Sequence, residues 1–147
     1  MNVISILTRR KLIGFAVVFA AVSHRTSARA QTSRRISLEK LQAMFSDMRA
    51  KTPWNVDGPL LWGYFFFDRD MEKLKGGAAE LQLLGYRVVN LEAVQGRPLF
   101  RLHIERVEAH TPESLDVRNK QFYEFAEKRG IGSYDGMDVG PAPKAAS

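Results

Sequence analysis

The sequence contains no cysteine, which excludes disulfides, thiolate metal sites, cysteine nucleophiles and a lipid anchor on a leader cysteine. Its longest apolar run, around Gly14 to Val22, falls well short of the roughly 20 residues a helix needs to cross the hydrocarbon core. No GxSxG elbow, Walker loop or GxGxxG turn occurs, so the common nucleophile and phosphate-cradling signatures are missing. Charge of one sign is also scarce outside the start of the chain. The formal net charge is +6, but residues 1–30 hold five basic and no acidic residues, which leaves 17 basic against 16 acidic residues in the remainder. A near-neutral body carries no global field to attract a phosphate backbone, and direct nucleic-acid binding is not expected. What is present is ordinary for a packed protein: 147 residues, 45% hydrophobic and 26% charged, enough for one domain.

The start of the chain reads as a leader. Arg9, Arg10 and Lys11 precede the apolar run, and Ala28-Arg29-Ala30 follows it, giving the order basic, apolar, small-x-small of an export signal. The adjacent arginines suit a twin-arginine signal with Ala30 as the last residue removed. The expectation is an exported, periplasmic protein with no stable membrane span after leader removal. The alternative is a misassigned start, with Met44 or Met48 as internal starts and a cytoplasmic product.

Residues 31–59 read as a polar linker and an N-terminal helix, with Ser37 as its cap and Leu38, Leu41, Met44, Phe45 and Met48 on one face. Leu60 to Phe67 is a continuous apolar and aromatic run bounded by Pro59 and Asp68, which predicts a central strand. Asp68 is then expected to cap a helix that carries Met71, Leu74, Ala78, Leu81 and Leu84 inward and closes on Gly85. Inside it, Gly76-Gly77 is expected to allow close packing on the sheet. Strands follow from Tyr86 to Val94 and from Leu99 to Val107, joined by a Gln95-Gly96-Arg97-Pro98 turn. Thr111 and Pro112 open a last helix that ends at Gly130, a short strand runs from about Tyr134 to Val139, and residues 140–147 form a disordered tail. The order β-α-β-β-α-β predicts an α+β, ferredoxin-like four-stranded antiparallel sheet with helices on one face, preceded by an extra N-terminal helix.

His103, Glu105, Glu108 and His110 are of types that bind zinc or iron, but their spacing is not that of a helical HExxH pair. They are expected to be solvated residues on the open sheet face and its edge. The carboxylate pairs Asp68/Asp70 and Glu124/Glu127 are better explained by a helix N-terminus and a solvated helical face. Trp62, Tyr64 and Phe66 alternate on one side of the first strand and are expected to pack in the core or against a partner. No catalytic residue, cofactor or metal site is expected.

Across 60–139 the pattern resembles the family of ribonuclease E inhibitors called RraB. The resemblance is carried by Phe66-Phe67-Asp68, by Leu84-Gly85-Tyr86 with Val88, by Phe122-Tyr123-Glu124-Phe125-Ala126, and most specifically by Tyr134-Asp135-Gly136. The last of these is similar to the family's terminal Tyr-Asp-Gly-Trp, with Met137 standing where the family has Trp. The resemblance implies a non-catalytic regulator whose protein partner is ribonuclease E, with Tyr134, Asp135, Gly136 and Met137 as partner-binding residues. Two features depart from the family: the near-neutral body, where some members are strongly acidic, and the leader, since an exported protein would need an envelope partner instead. Read without the resemblance, Tyr134-Asp135-Gly136 is a turn in which Asp bonds local backbone and Gly supplies a positive φ.

Overall fold

The computed structural model describes residues 35–144; the leader of residues 1–30 and the end of the tail lie outside the described residues. Ser37 accepts a hydrogen bond from Lys40 N–H and starts α1 (Leu38–Lys51). Leu41, Met44, Phe45 and Met48 recur at helical spacing on its buried face. Thr52 closes it, donating from both backbone N–H and Oγ1 to Met48 O, and Pro53 cannot continue the helix. α1 joins the main core, with Phe45 stacked on Trp62 at 5.9 Å.

β1 (Leu60–Asp68) leads into α2 (Met71–Leu83), and β2 (Arg87–Ala93) and β3 (Phe100–Glu108) into α3 (Pro112–Arg129) and β4 (Ser133–Pro141). All neighbouring strands are antiparallel and the sheet order is β2-β3-β1-β4, the ferredoxin-like arrangement with α1 added. β4 runs on through Gly140 and Pro141, so the tail begins later than the sequence pattern implied. Trp62, Tyr64 and Phe66 all point to the helical side and are at most 1% exposed. There they meet Leu102 and Ile104 from β3 and Phe122 from α3. Burying side chains of this size contributes on the order of 2 to 3 kcal/mol each, which is why the alternation along β1 decides which face the helices cover.

Two details differ from the sequence expectation. The cap of α2 is Asp70, which accepts from Glu72 N–H at 2.9 Å. Asp68 is the last residue of β1; its Oδ1 accepts from Asp70 N–H and its Oδ2 from Gly132 N–H, both at 2.7 Å. A carboxylate two residues earlier thus ties the end of β1 to the start of β4, a long-range contact that local spacing does not encode. The glycine pair also divides its roles. Gly77 packs against Ile131 and Phe125 at the end of the helical layer, whereas Gly76 faces open space.

β4 carries a bulge at which Asp135 and Gly136 together oppose Phe65. Gly136 has φ +106°, and a Cβ there would lie 3.1 Å from Ile36 Cδ1. Gly136→Ala is therefore expected to cost about 1 to 2 kcal/mol. Gly76→Ala, in an open helical position, is expected to add roughly 0.5 to 1 kcal/mol. Opposite shifts in thermal midpoint check the pair.

Candidate functional site

A dense polar cluster forms where the end of β3 meets the start of α3. Arg106 and Glu108 are two residues apart on a strand and share its helical side, while Arg118 reaches the same point from α3. Glu108 Oε1 pairs with Arg106, through Nη2 and through Nε at 2.9 Å, and with Arg118 Nη2 at 3.0 Å. Its Oε2 accepts from Tyr64 OH at 2.9 Å and lies 3.2 Å from His110 Nε2. His110 Nδ1 meets Ser114 Oγ at 2.9 Å, and Trp62 Nε1 donates to Glu108 O at 3.2 Å.

The Glu108 side chain is only 10% exposed. Burial pushes its pKa up, but the hydrogen bonds from His110, Arg106 and Tyr64 outweigh burial and hold it at about 2. Burial and the neighbouring Glu108 carboxylate push the Tyr64 phenol far above its ordinary value, so it remains a neutral donor. An open cavity of about 390 Å³ adjoins the cluster, lined by Glu108, Ala109, His110, Ser114, Val117, Arg118 and Gln121.

The line Ser114, His110, Glu108 has the members of a nucleophile, a base and an orienting carboxylate. Ser114, however, completes the capping box of α3: its Oγ accepts from Thr111 N–H at 2.9 Å and bonds Thr111 O, while its own N–H donates to Thr111 Oγ1. The hydroxyl is committed to starting a helix. The arrangement fixes the β3–α3 junction and presents two guanidinium groups around one carboxylate.

This geometry corrects the expectation of solvated edge residues. Glu108 and His110 turn to the helical side, their side chains 10% and 5% exposed, because Tyr64, Trp62 and the two arginines provide partners there. Glu105, on the other face, is 7% exposed and paired with Arg87. His103 does lie on the open face, stacked on Phe65 at 4.5 Å. Neighbouring Gly63 has no side chain to separate His103 Nε2 from Asp138, and a Cβ there would collide with Asp138 Oδ1. Burial lowers the His103 pKa and raises that of Asp138, each against the pull of the other. Among the described residues no three His, Cys, Asp or Glu side chains converge as metal ligands, and no helix is long and apolar enough to cross a membrane.

Of the four residues expected at a partner surface, Tyr134 and Met137 are each 5% exposed and face the core, and Asp135 is on the surface. Tyr134 OH donates to Asn119 Oδ1 at 2.6 Å, and Asn119 Nδ2 approaches Met137 Sδ at 3.7 Å. Gly136 supplies the positive φ of the bulge.

Sequence reasoning did not single out Arg106, Arg118 or Asn119. Arg106-x-Glu108 at strand spacing was an available signal for a same-face ion pair. Asn119, four residues after Leu115 and three before Phe122 on an otherwise apolar helical face, was a signal for a buried polar partner.

Comparison with protein families finds that a family model described as RraB, regulator of ribonuclease activity B, matches residues 38–139. That span runs from the first residue of α1 into β4 and includes the whole charged cluster. Comparison with curated proteins gives no match.

Proposed function

Because the chain belongs to the RraB family, regulators of ribonuclease activity, we propose that it is a non-catalytic regulator that binds ribonuclease E and restrains RNA cleavage. The observation that carries this reading is the family match over 38–139. A binding role also suits the chemistry of the molecule. Ser114, the hydroxyl nearest a histidine, is held in a helix cap, and the charged cluster offers guanidinium donors beside exposed apolar side chains, a combination suited to protein surfaces.

The test is a cleavage assay with purified ribonuclease E and a labelled RNA. The expected result is a cleavage rate that falls as the protein is added and levels off near equimolar complex, with no RNA cleaved by the protein alone. Unchanged cleavage together with no complex by calorimetry would remove the proposal.

A second reading is favoured by the leader: Arg9-Arg10-Lys11, the apolar run and Ala28-Arg29-Ala30 support export and an envelope partner on the same fold. Determining the N-terminus of the protein isolated from its native cell separates the two. A periplasmic chain beginning at Gln31 favours export; a cytoplasmic chain that keeps α1 favours ribonuclease E, since a start at Met44 or Met48 would remove at least Leu41 from the core and cut into the family match.

A further inference from the structure

α2 and α3 cover the same sheet face, and the end of α2 and the start of α3 lie at one end of the molecule. α2 stops just before β2, whose Arg87 pairs with Glu105 near the end of β3, and α3 begins directly after β3. Tyr86 lies there, with the guanidinium of Arg106 at 4.2 Å and that of Arg118 at 5.7 Å from its ring centre. Arg106 Nη1 also donates to Leu84 O at 3.0 Å, joining the end of α2 to the charged cluster.

Two properties of this end are unusual for a solvated surface. The first is apolar exposure: Leu83 is 89% exposed, Leu84 59% and Val117 54%, and Val117 lines the cavity beside Arg118. The Leu84 carbonyl is bonded to Arg106 and Val117 adjoins Arg118, so the exposed apolar side chains flank the two arginines from either side, and apolar exposure rimmed by charge marks interaction sites. The second is charge. Arg106 and Arg118 share one carboxylate, and their side chains are 30% and 20% exposed against 10% for Glu108. The cations lie nearer solvent than the anion that partly neutralises them. Asp116, on the same helix, is engaged by Lys120 at 2.7 Å.

We infer that this end of the helical layer docks a protein segment in which apolar side chains stand beside Asp or Glu. The apolar groups cover Leu83, Leu84 and Val117, and the carboxylate takes the guanidinium of Arg118, of which only Nη2 is engaged by Glu108, while Arg106, held by Glu108 and Leu84 O, contributes its charge. This inference rests on the reading that the chain binds a protein, and it names the chemistry that the bound segment carries.

The test places a photo-crosslinking phenylalanine derivative at position 83, at position 117 or, as a control on the open sheet face, at position 107 of the full chain in its native cell. Crosslinks from 83 and 117 are expected to reach one segment of one protein, with Asp or Glu beside apolar residues, and 107 is expected not to reach it. A synthetic peptide of that segment should bind the purified chain. The double variant Leu83→Asp/Val117→Asp should weaken it about tenfold or more, as should changing the peptide carboxylates to amides. Crosslinks to a basic or carboxylate-free segment, crosslinks to a second copy of this chain, or none from 83 and 117 would overturn the inference. The owner of the segment tests the functional reading separately: ribonuclease E supports it, and a different protein ends it while leaving the docking surface in place.

Discussion

Glu108→Ala is expected to destabilise the protein by about 3 kcal/mol, because removing one member of a largely buried ion network leaves its partners desolvated and unpaired. Arg106 and Arg118 would lose their shared carboxylate, and Tyr64 OH and His110 their common acceptor. A loss of that size lowers a thermal midpoint on the order of 10 °C for a domain of this length. The same carboxylate makes stability depend on acid. Its folded pKa of about 2 lies below the ordinary glutamate value of 4.5, so its stabilisation is fully present above the unfolded value and is lost as pH falls through the folded one. Urea unfolding between pH 6 and pH 2 should therefore show the native chain losing stability most steeply below about pH 4.5, with a shallower decline in Glu108→Gln. Parallel curves for the two proteins would mean that Glu108 is not the group that couples β3 to α3.

The part of this structure legible in the sequence is the part set by local periodicity. Leu41, Met44, Phe45 and Met48 recur as helix positions do, Phe100, Leu102 and Ile104 alternate as strand positions do, and Thr111 with Pro112 is a helix start. From these, the β-α-β-β-α-β order and an antiparallel sheet follow. The charged cluster was not legible, because it depends on register. Glu108 is buried only because β1 pairs with β3 so that Tyr64 stands opposite Ile104, which lets the tyrosine hydroxyl reach the strand end. Its other partner, Arg118, comes from a different element. Asp68 and Asp70 exchanged roles for a related reason: both have carboxylates at the right place for a cap, and the choice was made by Gly132 N–H, 64 residues further along the chain. At Tyr134-Asp135-Gly136-Met137, Gly136 was readable as a positive-φ residue. That it sits in a bulge rather than a free turn, and that the flanking side chains face inward, followed from the pairing with β1.

Tyr134→Ala is the second substitution with a large expected effect, about 3 to 5 kcal/mol, the cost of deleting a buried aromatic side chain. The ring lies 5.1 Å from Phe66, 5.2 Å from Phe122 and 5.1 Å from Tyr123, so its removal leaves a void between β1, β4 and α3. Tyr134→Phe keeps the ring and isolates the hydrogen bond. Asn119, 1% exposed, would be left with a buried Oδ1 lacking its 2.6 Å donor, a cost of about 1 to 3 kcal/mol. Burial drives the Tyr134 pKa well above the usual phenol range, so the bond persists to high pH and the difference between Tyr134 and Phe should be flat across neutral and mildly alkaline conditions. Urea midpoints at unchanged m-value measure both losses. The same variants separate stability from recognition at this edge. If the chain binds ribonuclease E as proposed, that affinity, measured well below the melting temperature, should be unaltered in Tyr134→Phe, since the hydroxyl faces Asn119. If Tyr134→Phe abolished binding while its fold and urea midpoint were retained, the hydroxyl would have to reach the partner, and β4 would have to open at its bulge for that to happen.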